Sequence, residues 1–361
     1  MRFTDKARYL RYLVRRRGMK PIYVILGLTY DCNSFCRTCF NWEQLRKNKE
    51  HELSLEEIKR SLDGVGELLF VVMSGGEPFL RRDLPEICEH LSTVNGAKQI
   101  TIPTGAIASD LIARSVESTL ERCPSTQIVV NLSLDHIGEK HDWIRGVPGN
   151  YERLKKTYAN LVPLKEKYGN LTVNVHTCLC TYNVDDLEEI TSTVQRDFPA
   201  ISFHSFEMLR GDQPDKNIQA ISTERYREVL PMLEKYWSSF RNYDGFLRFV
   251  KIYSRRMELA ALEQETQPRP CYAGTISGVI DARGEVRLCE LREPVGNLRD
   301  TDFDFDRLWF SPEADAQRKA IANKECWCTH SCFMSSSLVF QPRTYADWMA
   351  STVVNFLGAR G

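Results

Sequence analysis

Three cysteines stand close together near the start of the chain, in the segment "TYDCNSFCRTCFNW": Cys32, Cys36 and Cys39. Three thiolates with the spacing C-x3-C-x2-C on one short loop can hold three corners of a metal centre. A structural zinc site normally closes with four ligands, so three ligands leave a metal position open, which favours catalysis. A [4Fe–4S] cluster with one free iron fits this spacing. A zinc site that takes a distant fourth ligand is the alternative.

A second group of five cysteines lies in the last quarter of the chain: Cys271, Cys289, Cys326, Cys328 and Cys332. A hairpin with its turn at residues 282–284 is predicted between the first two, and Gly284 supplies the turn. The hairpin would bring both thiols near each other. Four ligands suffice for a closed cluster, so one of the five is expected to be spare. A zinc site that includes His330 is the alternative.

The composition excludes several classes of protein. The 361 residues include 48 Lys and Arg against 48 Asp and Glu, so no overall positive charge indicates nucleic-acid binding. No apolar run approaches the ~20 residues of a membrane span, and the basic start lacks the apolar core of a signal peptide. We therefore expect a cytoplasmic protein with no transmembrane segment. In that compartment cysteines serve as ligands, catalysts or buried side chains more often than as disulfides.

The elements that must position the cysteines alternate between strands and helices. Helical patterns begin near Ser54, Asp83, Ser109, Tyr151 and Val184, and "SLEE" at Ser54 fits a capping box. Serial strand–helix units predict a parallel sheet, which can curl into a partial barrel. The predicted strands span residues 23–30, 68–74, 99–104, 127–134, 171–179 and 200–208.

Two loops would meet at the carboxyl ends of these strands, where barrels carry their chemistry. The first cysteine group follows the first strand, and Gly75, Gly76 and Glu77 follow the second in "VVMSGGEPFL". Glycines at this position let the backbone approach a ligand closely. Glu77 adds an acceptor for an ammonium group.

Together, C-x3-C-x2-C and GGEP resemble the radical S-adenosylmethionine (radical SAM) superfamily. "VNLSLDHIGEKHDWIRG" and "TYNVDDLEEI" resemble later segments of that family, so that the resemblance covers roughly residues 20–210. It implies an α/β fold, a partial (β/α)6 TIM-type barrel. It also implies a [4Fe–4S] cluster on Cys32, Cys36 and Cys39, and S-adenosylmethionine bound to the open iron. Reductive cleavage would give a 5′-deoxyadenosyl radical that takes hydrogen from an unactivated C–H bond.

The resemblance also implies roles for other side chains. Gly75, Gly76 and Glu77 would contact the methionine ammonium, and Ser133 and Arg145 would bind ribose or carboxylate. By position rather than resemblance, Thr104 and Asn183 follow the third and fifth predicted strands and are expected in the cofactor pocket. Glu207 and His204 lie at the end of the sixth predicted strand as candidate acid–base residues, with a salt bridge or a satisfied histidine as the alternative. The sequence departs from the family where Thr38 replaces an aromatic residue and "PTGA" replaces T-N-G, which leaves the adenine contacts open.

The second cysteine group resembles the SPASM and twitch extensions of radical SAM enzymes, which hold auxiliary iron–sulfur clusters. Five cysteines instead of the seven of a full SPASM pattern imply one auxiliary [4Fe–4S] cluster, for electron transfer or substrate binding. The expected organisation is a basic N-terminal helix (1–22), a core barrel (23–215), a helical connection (216–265) and a small cysteine-rich α+β extension with the tail (266–361).

The resulting expectation is a radical SAM enzyme acting on a sugar- or aminocyclitol-like small molecule or on a peptide. An electron donor such as flavodoxin or ferredoxin would supply the reducing electron. The alternative is a zinc-stabilised binding or scaffold protein without redox chemistry.

Overall fold

A computed structural model describes residues 12–13, 18–45, 51–241 and 243–358, with side chains through residue 351. The basic N-terminal helix predicted for residues 1–22 therefore lies largely outside the described residues. Within the described part of the chain, no helix is both long and apolar enough to cross a bilayer.

A single mixed sheet forms the centre of the molecule. Its strand order is β6-β5-β4-β3-β2-β1-β7-β8-β9. Neighbours from β6 through β1 to β7 are parallel, and β7, β8 and β9 form antiparallel pairs. The strands are β1 Tyr23–Thr29, β2 Phe70–Gly75, β3 Gln99–Thr104, β4 Gln127–Ser133, β5 Leu171–Leu179, β6 His204–Met208, β7 Ser277–Ile280, β8 Glu285–Arg287 and β9 Gly296–Asn297.

Helices follow most strands and cover the outer face of the sheet. They are α1 Leu55–Val65, α2 Leu84–Thr93, α3 Ser109–Arg122, α4 Gly138–Arg145, α5 Asn150–Tyr168, α6 Leu187–Asp197, α7 Thr223–Ser238, α8 Gly245–Gln264, α9 Phe305–Trp309, α10 Pro312–Ala322, α11 Ser331–Val339 and α12 Pro342–Gly358. The capping box predicted at Ser54 is present at the start of α1, with reciprocal bonds between Ser54 and Glu57.

Alternation along the strands separates the core from an inner, polar face. In β5, Leu171, Val173 and Val175 are buried in the main hydrophobic core, whereas Asn174 and His176 are only partly buried. Successive side chains of a strand point to opposite faces, so one face packs against the helices. The other face lines an interior space that we call the lumen.

The expected fold class is confirmed, because six parallel strands with surrounding helices form an open, partial barrel, followed by the cysteine-rich segment. The predicted hairpin is also confirmed: β7 and β8 pair antiparallel, and Gly284 has a φ of +90°. The predicted strand starts at residues 68 and 200 are early. The backbone N–H groups of Leu68 and Leu69, for example, donate to the carbonyls of Asn95 and Ile22. These bonds lie outside the strand pairing of β2, which begins at Phe70.

Candidate functional site

The first cysteine loop is anchored by the end of helix α4, which the sequence did not reveal. The backbone N–H of Arg37 donates to the carbonyl of Ile144 (2.8 Å), and that of Phe35 to the carbonyl of Arg145 (3.2 Å). The Ser34 hydroxyl donates to the same Arg145 carbonyl (3.0 Å). The loop conformation is thus set by a neighbouring helix as well as by its own sequence.

Gly75, the last residue of β2, and Gly76 after it lie backbone to backbone against this loop. The N–H of Gly76 donates to the carbonyl of Thr29 (2.7 Å), and that of Glu77 to the carbonyl of Asp31 (2.8 Å). A Cβ on Gly76 would lie 2.1 Å from the Asp31 oxygen, and a Cβ on Gly75 would lie 2.1 Å from the Thr29 oxygen. Only glycine permits this contact, so the motif serves the cysteine loop itself.

A cavity of about 240 Å³, here called the cluster cavity, opens between these loops. It brings together the first cysteine group and several of the predicted cofactor residues. Its lining includes Cys32, Cys36, Cys39, Gly75, Gly76, Ser133, Asp135, Arg145, His176, Cys178, Glu207 and Arg210.

The electrostatics of the cavity suit thiols that are to be held by a metal centre. Burial raises the pKa of Cys32 to about 11 and that of Cys39 to about 12, so both are protonated at neutral pH without a metal. The Arg145 guanidinium favours the thiolate form of both. Metal binding would therefore release protons from this loop.

The three thiols of the first cysteine group line one cavity. A cubane cluster presents a separate iron to each cysteine. Three thiols spread around one cavity therefore agree with the donor set of a [4Fe–4S] cluster.

Glu77 and Thr104 lie just outside the cluster cavity and support its wall. One carboxylate oxygen of Glu77 accepts from the Phe79 N–H (3.2 Å), and the other accepts from the Thr104 hydroxyl (2.9 Å) and the Gly105 N–H (2.8 Å). Burial raises the pKa of Glu77, and these hydrogen bonds oppose the shift. The side chain ties the end of β2 to the end of β3.

Arg145 is the positive charge of the cluster cavity. Its Nη1 donates to the Asp135 carboxylate (3.2 Å), while its buried Nε has no partner among the described residues. Although burial opposes its charge, Cys36 and Asp135 hold the pKa of Arg145 above its ordinary value. Ser133, at the end of β4, lines the same cavity. Together they present a charged donor and a hydroxyl to whatever binds there.

Asn183 and His204 are placed away from the cavity. The Asn183 amide donates to the carbonyls of Asp135 and Cys178, which fixes the loop after β5. His204 is fully buried toward the helices, with its ring nitrogens bonded to Thr177 and to the Tyr236 hydroxyl. Burial lowers the pKa of His204 well below its ordinary value, so the ring is neutral.

Glu207, the other predicted acid–base residue, lies at the junction of two cavities. It lines the cluster cavity and also a second cavity of about 210 Å³ in the lumen, here called the lumen cavity. Burial opposes its ionisation, yet His176, Arg255 and Arg210 hold the pKa of Glu207 well below its ordinary value. An ionised carboxylate therefore stands between the two spaces.

Four of the five C-terminal cysteines share a third cavity, of about 320 Å³, which we call the auxiliary cavity. Its lining includes Cys271, Cys289, Cys326 and Cys328, with Ile321 and Phe333 as apolar walls. Burial raises the pKa of Cys271 to about 11 and raises those of Cys289 and Cys328. This donor set matches the four thiolates of a closed cubane.

Cys332 does not line the auxiliary cavity, although it packs against the same buried apolar cluster as Cys271. It lies in the first turn of α11 and lines the lumen cavity, beside the Tyr23 hydroxyl and near Glu207. Burial raises the pKa of Cys332 to about 12. The start of a helix between Cys328 and Cys332 turns the last thiol away from the auxiliary cavity.

A chain of polar side chains joins the cluster and auxiliary cavities. Arg210 stacks on Phe40 at 4.7 Å and donates to the Glu290 carboxylate (2.9 Å). The same carboxylate is 2.6 Å from Nε2 of His330. Phe40 follows Cys39, and Glu290 follows Cys289, so the two cysteine groups are connected through few residues.

Sequence reasoning did not single out Arg210 and Lys251. Alternation along β6 carries a usable signal for Glu207, which shares the inner face with Ser205. It carries none for Arg210, which lies beyond the end of this strand. No sequence signal places Lys251, because only packing of α8 on the lumen decides which face of that helix is internal.

Comparison with known proteins gives one matching family and several relatives. The family model of the radical SAM superfamily matches residues 26–194. An AdoMet-dependent heme synthase of Oleidesulfovibrio alaskensis is 25% identical over 323 residues, which cover 84% of this chain and 78% of the relative. A GTP 3′,8-cyclase of Peptoclostridium acidaminophilum is 26% identical over 228 residues, 60% of this chain and 66% of that enzyme.

Solved structures share the fold. Native anSMEcpe with bound AdoMet superposes with a TM-score of 0.61 at 15% identity, covering 94% of this chain and 99% of that one. Streptococcus suis SuiB bound to S-adenosylmethionine gives a TM-score of 0.57 at 17% identity, covering 87% and 72%. At these identities the likeness concerns the arrangement of strands and helices.

Proposed function

Because residues 26–194 place this chain in the radical SAM superfamily, we propose that Cys32, Cys36 and Cys39 hold its [4Fe–4S] cluster and that S-adenosylmethionine binds in the cluster cavity. The observation that carries this proposal is that the three thiols, Gly75, Gly76 and Arg145 line one cavity. With both cofactors bound, such a site supplies a 5′-deoxyadenosyl radical that abstracts hydrogen from an unactivated C–H bond.

The side chains and backbone of the cluster cavity would bind and orient S-adenosylmethionine. The backbone of Gly75 and Gly76 forms the wall beside the cysteine loop, and Ser133 and Arg145 offer a hydroxyl and a charged donor to the polar groups of S-adenosylmethionine. Glu207 is the proposed acid–base residue, because it is ionised and faces the lumen. His204 is left out of this proposal, since its ring nitrogens are bonded to Thr177 of β5 and Tyr236 of α7.

We further propose that Cys271, Cys289, Cys326 and Cys328 hold one auxiliary [4Fe–4S] cluster. Their shared cavity and the placement of Cys332 in the lumen support this choice of four. The cluster would accept the electron that remains after hydrogen abstraction or would help to bind substrate. The connection through Arg210 and Glu290 keeps it close to the cluster cavity.

The substrate is proposed to be a polar small molecule or a peptide side chain that enters the lumen. Polar side chains such as Gln99, Thr101 and Asn131 line this space. Two relatives are named as a heme synthase and a GTP cyclase. Heme bears carboxylates, and GTP bears phosphates. A flavodoxin or ferredoxin in the cytoplasm would deliver the reducing electron.

Oxygen-free purification with iron and sulfide quantification tests the proposal. Two cubane clusters predict about eight irons per chain. Addition of S-adenosylmethionine should change the electron paramagnetic resonance signal of the reduced protein, and dithionite should then yield 5′-deoxyadenosine. Stoichiometric zinc without iron, as expected for a binding or scaffold protein, would defeat it.

A further inference from the structure

The lumen cavity contains a lysine that nothing in the proposed chemistry uses. Lys251 of α8 lines this cavity, and it has no ion-pair or hydrogen-bond partner for its ammonium among the described residues. Burial lowers the pKa of Lys251, and Glu207 partly offsets that shift. Burying an ammonium group without a partner costs free energy, and a bound anion would reduce that cost.

Two other residues of the lumen cavity also carry unsatisfied polar atoms. The side-chain oxygen of Asn174 and the hydroxyl of Ser335 are buried without a hydrogen-bond partner, and both residues line the same cavity. Unpaired buried polar atoms are rare in folded proteins and often mark a site for water, an ion or a ligand. Residues that carry unpaired polar groups, from the three elements β5, α8 and α11, thus line one space.

The neighbouring charges favour an anion at Lys251. Arg255 lies one turn further along α8 and forms a buried pair with Glu258 (2.7 Å), so that Glu258 is not available to Lys251. Glu207 lies 3.7 Å from Arg210, and its charge also acts on Lys251. An incoming oxyanion would therefore meet an ammonium whose acidic neighbours each have an arginine partner of their own.

We propose that Lys251 binds an oxyanion of the substrate, a carboxylate or a phosphate, in the lumen cavity, with Ser335 as a hydroxyl donor. This inference rests on the proposed function, because it takes the lumen as the substrate site. Glu207 marks the boundary with the cluster cavity, so an anchor at Lys251 would hold the charged end of the substrate in the adjoining lumen. The substrate class is accordingly an acidic molecule rather than a neutral sugar.

Trace acetylation of the holoprotein tests this placement without knowledge of the substrate. Limiting acetic anhydride is applied in chloride, acetate or inorganic phosphate at equal ionic strength, and labelling of Lys251 is quantified by mass spectrometry. Lys319, exposed on α10, serves as the reference lysine. Acetate or phosphate near twice its Kd should protect Lys251 about threefold, leaving Lys319 unchanged. Which anion protects distinguishes a carboxylate from a phosphate.

Two variants sharpen the result. Calorimetric titration of the protecting anion should show binding in Lys251→Arg and none in Lys251→Met. Equal labelling of Lys251 in all three salts, or binding that survives in Lys251→Met, overturns the inference. Failure of the proposed function is separate, since it would appear as absent S-adenosylmethionine cleavage in the unaltered protein whatever the labelling shows.

Discussion

Cysteines serve different purposes in this chain, and the environment of each thiol decides its role. Cys88 and Cys123 are fully buried in the main core and behave as small apolar side chains. Burial also raises the pKa of the Cys32 and Cys39 thiols. These two thiols, however, line a cavity that also contains Arg145. A metal centre can replace their protons, whereas the core cysteines line none of the three cavities described above.

Replacement of one cluster cysteine tests this distinction. Cys36→Ala removes one of three proposed iron ligands, and we expect 5′-deoxyadenosine formation under reducing conditions to fall to background. Cys123→Ala is the matched control, because that thiol lies outside all three cavities, and it should retain activity. Chromatographic quantification of 5′-deoxyadenosine provides the measurement; undiminished product from Cys36→Ala would contradict the assignment of this loop.

The C-terminal cysteines lead to a second prediction at this scale. Cys289→Ala should lower the iron content from about eight to about four per chain, because a ligand of the auxiliary cavity is lost. Cys332→Ala should leave it near eight, because Cys332 lies in the lumen cavity. Iron and sulfide analysis of both variants gives the answer. A loss of four irons in Cys332→Ala would show that the choice of four ligands is wrong.

Arg145 gives a prediction about cofactor affinity. Arg145→Ala removes the charged donor of the cluster cavity, and loss of a hydrogen bond to a charged group costs about 1.5–3 kcal/mol. S-adenosylmethionine should therefore bind at least about tenfold more weakly, as measured by equilibrium dialysis. Arg114→Ala, on the exposed face of α3, is the control. Unchanged affinity in Arg145→Ala would remove this residue from the site.

At the scale of elements, the sequence predicted the strands well and the loops between them poorly. Strands β3 and β5 begin and end where the alternation of apolar residues predicts. Helix α4 was missed because its eight residues form part of a segment read as a motif, and its contacts with the cysteine loop are tertiary. Periodicity reports burial, but it does not report which loop a short helix supports.

The residues of the site also divide into those that local sequence identified and those that depend on tertiary packing. Local spacing identified the first cysteine group and the GGEP segment, since both follow strands directly. It did not separate Cys332 from the other C-terminal cysteines, because that depends on α11 beginning at Ser331. Nor did it exclude His204, whose orientation follows from the register of β6 against β5 and the packing of α7.

Close contact between the loops after β1 and β2 predicts a strong effect of a single methyl group. In Gly76→Ala the new Cβ would lie 2.1 Å from the Asp31 carbonyl oxygen, which is backbone and cannot rotate away. We expect destabilisation of about 1–3 kcal/mol and reduced iron at the first site. Gly245→Ala has open space around the new Cβ and should be tolerated. Thermal unfolding with iron analysis compares the two; equal behaviour would refute the steric argument.

At the scale of the whole molecule, the extension is continuous with the barrel. Strand β7 pairs in parallel with β1 along four residues, so the cysteine-rich segment extends the same sheet that carries the first cysteine loop. Side chains add to this connection: Arg299 donates to both carboxylate oxygens of Glu57 at 2.7 and 2.9 Å. Both cysteine groups are therefore held in one framework, which a reaction that uses two clusters requires.

The link between Arg210 and Glu290 gives the last prediction. Burial alone would raise the pKa of Glu290, but the hydrogen bond from His330 and the charge of Arg210 hold it at about 2. A depressed pKa stabilises the fold above the ordinary carboxyl pKa, and this contribution is lost only as the pH falls toward 2, so it is complete at neutral pH. Arg210→Met should then cost about 1.5–3 kcal/mol, the value of a hydrogen bond to a charged group.

The control for this prediction is Arg225→Met, which breaks exposed pairs with Asp185 and Glu228 and should cost at most about 1 kcal/mol. Urea unfolding of both variants under oxygen-free conditions measures the difference, and limited proteolysis within residues 266–270 reports release of the extension. Arg210 also packs on Phe40 beside the first cysteine loop, so its loss should make both cysteine groups lose iron faster to a chelator. Equal stability of the two variants would mean that the sheet alone holds the extension in place.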